Sequence, residues 1–324
     1  MTLEQRKKFT AGLSVASNAV LVLGKLVIGF WINSVSVISE AVHSGIDLVA
    51  SIIALFAVRE ASKPADHQHP FGHGKAEAIS GAFEGMLIFV AIVIILYEAV
   101  KKILHGAEVV RVDWGLVIMG ASALMNTFVS WQLYRVAKKA DSLALEADAI
   151  HLSTDVFTSL GVFAGLLLIR ITRLYILDPL IALGVAVVIG HAAYSIIKRS
   201  VKDLMDERVP EDELAAIEGV LVEHTRHFVG FHDLRSRKSG SMREADLHLV
   251  LCRHTPLKEA HAVTDHLEEE LRKKLPKAHI TIHMEPCDRD CLEYQNRCDI
   301  EKEKLEAHLS GDAEIRAAKP QSFE

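Results

Sequence analysis

Cysteine is scarce in this 324-residue chain: there are four, Cys252, Cys287, Cys291 and Cys298, and none precedes residue 252. Three of them crowd PCDRDCLEYQNRCD, but no C-x-x-C pair occurs there, so the run fits a reduced metal cluster or no site at all. An excess of basic residues is also lacking. Lys and Arg number 36 against 42 Asp and Glu, for a formal net charge of −6, which excludes the electrostatic footprint of a nucleic-acid binder. No H-E-x-x-H string is present, so the zinc ligands and glutamate base of an intramembrane metalloprotease are missing, and no enzyme activity is expected. Nor is there a signal-peptide pattern. The charged start MTLEQRKK runs into an apolar segment too long for a signal core, with no A-x-A cleavage pattern nearby.

What the chain does have is long apolar runs. Half of its residues are hydrophobic and its mean hydropathy is +0.23, but the average hides an asymmetry. Residues 1–200 hold runs of membrane-spanning length, whereas 201–324 are rich in Glu, Asp, Lys, Arg and His. A span needs about 20 mostly apolar residues. Six segments qualify, near 10–33, 36–59, 78–103, 113–137, 143–170 and 177–198. The expected organisation is a six-helix transmembrane domain over 1–202, a cytoplasmic domain over 203–290, and a tail over 291–324 that is partly disordered. Orientation follows from the charges at the span ends. One side carries Arg6, Lys7, Lys8, Arg59, Lys63, Lys75, Arg135, Lys138, Lys139, Lys198, Arg199 and Lys202. The other, which includes the INSVS connection, carries Lys101, Lys102, Arg111, Arg170 and Arg173. Twelve against five puts both termini, and the soluble domain, in the cytoplasm.

That domain reads as α+β in the order αββαβ. PEDELAAIEGVLVEHTR has helical periodicity with acidic residues in its first turn. FHDLRSRKSG and READLHLVL alternate like two strands joined by a Gly-Ser turn. TPLKEAHAVTDHLEEELRKKL is a second amphipathic helix starting at Thr255, with Pro256 predicted at its first position. HITIHMEP is a third strand, in which placement favours His283, like His248 before it, as an inward-facing group. Helices packed on one face of a small sheet are expected.

The chemistry lies in the apolar half. EAVHSGIDLVAS places His43 and Asp47 four residues apart, and LEADAIHLSTDVFTS repeats the spacing with His151 and Asp155. At a helix centre in hydrocarbon each such side chain costs roughly 2.5–3.5 kcal/mol, so each needs a partner or a task. Residues at i and i+4 share a helix face. Two such helices side by side offer two imidazoles and two carboxylates, a normal tetrahedral environment for Zn²⁺. The plainer alternative is interhelical hydrogen bonding, which suits a single polar residue better than two identical pairs. Asn18, Asn126 and Asp148 read as packing or supporting groups. The loop PADHQHPFGHGKAEAIS adds a dense set of ligands, Asp66, His67, His69 and His73. It reads as a metal site, or as a polar loop with incidental histidines.

These motifs resemble the cation diffusion facilitator family, specifically its YiiP-like bacterial zinc transporters, over residues 1 to about 290. The resemblance rests on the two His/Asp pairs, HPFGHGKAE, Asp178-Pro179 at the sixth span, and the cytoplasmic histidines. It implies a transport site of His43, Asp47, His151 and Asp155, and a loop site of Asp66, His69 and His73. It further implies a cytoplasmic site of His232, His248, His261, His283 and Glu285 at a dimer contact. Without it those five stand little above His227, His254 and His266. Lys75 resembles the family's interlock lysine, with Asp206 or Glu207 as acceptor. Many bacterial relatives carry Asp where this chain has His43, and some carry Asp at Glu285. The tail cysteines lie outside the resemblance.

The implied protein is a homodimer in a bacterial inner membrane that exports Zn²⁺ in exchange for protons. Zinc is expected as both cargo and regulator, with Cd²⁺, Fe²⁺, Mn²⁺ and Co²⁺ as alternatives for imidazole-carboxylate sites. A membrane-tethered metal sensor is the competing class, and it would leave the intramembrane pairs without a task.

Overall fold

A computed structural model of the chain describes residues 1–31, 35–105, 113–172 and 177–287. Residues 32–34 of INSVS, Arg111, Arg173, Cys291, Cys298 and the rest of the 291–324 tail lie outside the described residues, as do the side chains of Lys102, Arg170 and Asp178. The chain divides into two compact units, one built on Met1–Asp206 and one on Glu207–Lys238 and the residues from Met242 on.

The first unit is a bundle of long helices: α1 (Leu3–Trp31), α2 (Val35–Ala61), α3 (Lys75–His105), α4 (Asp113–Ala140), α5 (Leu143–Thr172) and α6 (Leu177–Leu204). Among the described residues, four of them carry stretches long and apolar enough to cross a membrane: Leu3–Trp31, Ala41–Ala61, Lys75–Lys101 and Pro179–Leu204. Some helices run well past the segments read from sequence: α1 begins at Leu3 rather than near residue 10, and α6 ends at Leu204 rather than near 198. Hydropathy marks the hydrocarbon slab, whereas backbone hydrogen bonding continues into the hydrated border where charged side chains are at ease.

Burial in this unit is inverted relative to a water-soluble bundle. α1 buries Lys7, Thr10, Ala11, Ser14, Ser17, Asn18, Lys25 and Gly29. Its large apolar side chains, Val20, Leu23, Val27 and Phe30, are more than 60% exposed. Lipid is as apolar as leucine, so membrane helices associate through small residues and hydrogen bonds rather than through greasy faces. The α3–α6 crossing illustrates this: a Cβ at Gly85 would lie 2.5 Å from Ile197 Cγ1, and one at Gly81 would lie 2.8 Å from Ser200 Oγ. At the end of the bundle that holds the N-terminus, Lys7 Nζ donates to Glu77 Oε1 at 2.6 Å and Ser142 Oγ donates to Glu77 Oε2 at 2.5 Å. This nearly fully buried network joins α1, α3 and the start of α5.

The second unit contains α7 (Glu211–Glu223), β1 (Gly230–Ser239), β2 (Met242–Leu251), α8 (Leu257–Lys274) and β3 (Ala278–Pro286). The sheet order is β1-β2-β3. A two-residue turn, with Gly240 at φ 60, joins β1 to β2, and β2 pairs in parallel with β3 through the α8 crossover. Leu247, Leu249, Leu251 and Ile280 pack against Ile217, Val220 and Leu221 of α7 and Leu267 and Leu271 of α8. Two expectations need correction. Pro256 is the N-cap of α8 with ψ 139 rather than its first helical residue. His248 and His283 do not point inward: Leu247 and Leu249 take the core, and strand alternation sends His248 to the face away from the helices.

Candidate metal sites

α2 and α5 run antiparallel, so the imidazole of each meets the carboxylate of the other. His151 Nε2 lies 3.1 Å from Asp47 Oδ1, with both side chains under 10% exposed. One turn away, His43 Nε2 lies 3.9 Å from Asp155 Oδ1, with more exposure on both. Ligand atoms on a tetrahedral ion with bonds of about 2.0–2.2 Å stand about 3.3–3.6 Å apart, so the two rungs have the scale of a four-ligand cage. One ligand atom from each of His43, Asp47 and Asp155 lies within 4.8 Å of the others.

Neighbouring groups hold the cage. Asn126 Nδ2 donates to Asp155 Oδ2 at 3.3 Å. Asn18 Nδ2 donates to the Asp47 carbonyl at 3.4 Å and to Ser51 Oγ at 3.2 Å. Simple interhelical hydrogen bonding would leave no void. The unit has a cavity of about 200 Å³ lined by His43, Asp47 and Asp155 together with Lys25, Ser122 and Asn126. That void fits an ion site.

Lys25 was missed in the sequence reading. Its Nζ donates to Ser44 Oγ at 2.8 Å on the wall of the same cavity. The signal is present in VLGKLVIGF, a charge in the middle of an apolar run that, like His43, needs a partner or a task there.

The loop between α2 and α3 gathers Asp66, His69 and His73. Asp66 Oδ1 accepts the backbone N–H of His69 at 2.7 Å and that of Gln68 at 2.9 Å. Those hydrogen bonds, that from His69 first, hold the Asp66 carboxyl below its usual range. Pro70 and Phe71 form the corner of a β-turn closed by Gly72 N–H donating to His69 O at 2.9 Å. The turn leaves the His69 and His73 rings 4.4 Å apart. His69 Nδ1 is 3.3 Å from Asp66 Oδ1, and His73 Nε2 is 3.4 Å from Asp66 Oδ2. Glu60, which sequence spacing alone did not flag, stands 3.8 Å from His73 Nε2. His67 is exposed and lies outside the three-residue group. At the start of α3, Lys75 Nζ pairs with Asp206 Oδ1 at 2.9 Å.

In the second unit, Glu285 gathers the histidines. It accepts from His232 Nε2 at 2.9 Å and His248 Nδ1 at 2.8 Å, and His283 Nε2 stands 3.8 Å away. His248 and His283 are cross-strand partners with ring centroids 4.8 Å apart. The hydrogen bond from His232, then that from His248, holds the Glu285 carboxyl low. His261 does not join this group: its described ion contact is with Asp265 Oδ2, 3.6 Å away on the same helix. His232, His248 and Glu285 have the donor types and closeness of a divalent-metal site.

Comparison with known proteins follows the same division. Residues 12–205 match the family model for the cation efflux transmembrane domain. Residues 209–287 match that for the cation efflux protein cytoplasmic domain, a dimerisation module. The chain is 35% identical over 256 residues to an uncharacterized transporter of Synechocystis, covering 79% of this chain and 83% of that one. It is 34% identical over 285 residues to the cation-efflux pump FieF of Pectobacterium atrosepticum, covering 85% and 92%. The FieF of Yersinia pestis is 31% identical over 286 residues, covering 86% and 92%. A solved structure of CzrB, a candidate zinc transporter in its zinc form, is 36% identical, with a TM-score of 0.25. It covers 26% of this chain and 99% of its own.

Proposed function

The chain belongs to the cation diffusion facilitator family of membrane cation efflux transporters, and from that premise we propose that it exports Zn²⁺ in exchange for protons. The observation that carries this reading is the cluster of His43, Asp47, His151 and Asp155, of which His43, Asp47 and Asp155 line a cavity inside a lipid-facing bundle. Two imidazoles with two carboxylates favour Zn²⁺ over the harder Mn²⁺, with Cd²⁺, Fe²⁺ and Co²⁺ as competitors.

Exchange follows from the ligand chemistry. An ion is held only by neutral imidazoles and ionised carboxylates, so protons and metal compete for the same atoms. Histidine's reference pKa near 6.5 puts that competition close to neutral pH. Alternation of the cage between the two ends of the bundle then moves zinc one way and protons the other.

The twelve-to-five excess of basic residues supports cytoplasmic termini in a bacterial inner membrane. His232, His248, His283 and Glu285 would hold a regulatory zinc, and binding there would favour the dimer by mass action. Asp66, His69 and His73 would hold a further ion at the loop. The Lys75–Asp206 pair would serve as the charge interlock. Uptake of Zn²⁺ into inside-out vesicles is expected to require an opposing proton gradient. Uptake that persists unchanged after the gradient is collapsed removes the exchange mechanism.

A further inference from the structure

We propose that His224, His227, His266 and Glu270 form an additional transition-metal site on the helical side of the cytoplasmic unit. His224 is the C-cap of α7, and the backbone N–H of His227 donates to its carbonyl at 3.0 Å, so one turn presents both rings. His266 and Glu270 stand four residues apart on α8, on one face of that helix. The three rings converge: centroids are 5.1 Å apart for His224–His266 and 6.3 Å for both His224–His227 and His227–His266. Imidazoles bound to one ion at about 2.0–2.1 Å have centroids about 5 Å apart, so a small closure of the two wider pairs completes the set.

Two details favour ligation over chance crowding. His224 Nδ1 lies 2.8 Å from the Val220 carbonyl oxygen. A carbonyl only accepts, so Nδ1 carries the proton and Nε2 keeps its lone pair, the tautomer lock common to metal-bound histidines. Glu270 brings a carboxylate one turn from His266 on the same face of α8. Lys273 Nζ, at 2.7 Å, is the partner a metal would replace.

The site is separate from that of Glu285. His248 lies on the sheet face turned away from the helices, whereas His266 is exposed on α8, whose buried side carries Ala260, Thr264, Leu267 and Leu271. Three imidazoles and one carboxylate select borderline divalent ions such as Zn²⁺, Co²⁺, Ni²⁺ and Cu²⁺ rather than Mg²⁺ or Ca²⁺. An ion there would fasten the end of α7 to α8. The proposal does not depend on the transport mechanism.

The test is a count of bound zinc per chain on the full-length protein in detergent, with Co²⁺ absorption as a geometric probe. His224→Gln combined with His266→Gln is expected to remove one Zn²⁺ per chain and one tetrahedral Co²⁺ signal. A His232→Gln, Glu285→Gln variant should retain both. His227→Gln, at an exposed position, is expected to weaken that one ion at least about tenfold without changing the melting of the metal-free protein. An unchanged zinc count in the double variant, or unchanged affinity in His227→Gln, overturns the site.

Discussion

The His/Asp cluster of the membrane bundle and the histidine clusters of the cytoplasmic unit place the same kinds of side chain in opposite surroundings. In the bundle, each of His43, Asp47, His151 and Asp155 is costly unless it has a task, and their spacing alone suggested one. In the cytoplasmic unit a histidine at the surface costs almost nothing, so its position in sequence carries little information. There the clusters emerge only once folding brings β1, β2 and β3, or α7 and α8, together. Where burial is expensive, chemistry can be read from sequence; where it is free, geometry is needed.

The largest effect expected from this contrast is in the cage. Asp47→Ala should reduce zinc flux by about two orders of magnitude or more, beyond what loss of a supporting hydrogen bond causes, while the protein still folds and dimerises. Near-normal flux in a vesicle assay would remove the contrast altogether. Next comes the buried pair at the bundle end. Lys7→Met leaves Glu77 buried without its cation and should cost about 3–5 kcal/mol of stability, read as lowered thermal resistance in detergent. Unchanged melting would mean that Glu77 is solvated or neutral.

The loop should respond less. Asp66→Asn is expected to weaken zinc binding at that site by roughly 10–100-fold while flux continues, because the carboxylate both orients and faces the two imidazoles. The sign of the pH effect there follows from Asp66. Its lowered pKa means that its contribution to loop order is present above the usual carboxylate range and is lost only as pH falls through the lowered value. Asp66 therefore stays ionised near neutral pH, and loop order, followed by limited proteolysis of the zinc-free protein, should be lost only well into the acid range. The smallest effect is expected at Glu285. His283→Gln should weaken cytoplasmic zinc binding and change flux by less than about tenfold, because that residue stands at 3.8 Å, farther out than His232 and His248. Abolished transport would show the cytoplasmic site to be obligatory.

The fold was legible to different depths. Spans were recognisable because a bilayer demands about 20 apolar residues, but their ends were set short because helices continue into the hydrated border. The αββαβ order followed from periodicity, whereas the facing of His248 was misjudged. The alternation Leu247, Leu249, Leu251 in LHLVL already assigned the core to the leucines. The approach of His43 to Asp155 and of His151 to Asp47 was legible from the repeated spacing. Lys25 and Glu60 were not picked out. Lys25 carried an unused signal, while Glu60 lies at a charged helix end where a carboxylate is ordinary and only its distance to His73 marks it.

The most direct test is X-ray absorption of zinc bound to the full chain after the ligands of the loop, of the Glu285 cluster and of the His224–His266 cluster have been replaced. The account predicts one tightly bound ion with two imidazole nitrogens and two carboxylate oxygens at about 2.0–2.2 Å, lost when Asp155 becomes Ala. A zinc spectrum that Asp155→Ala leaves unchanged, or no bound zinc at all, would contradict it.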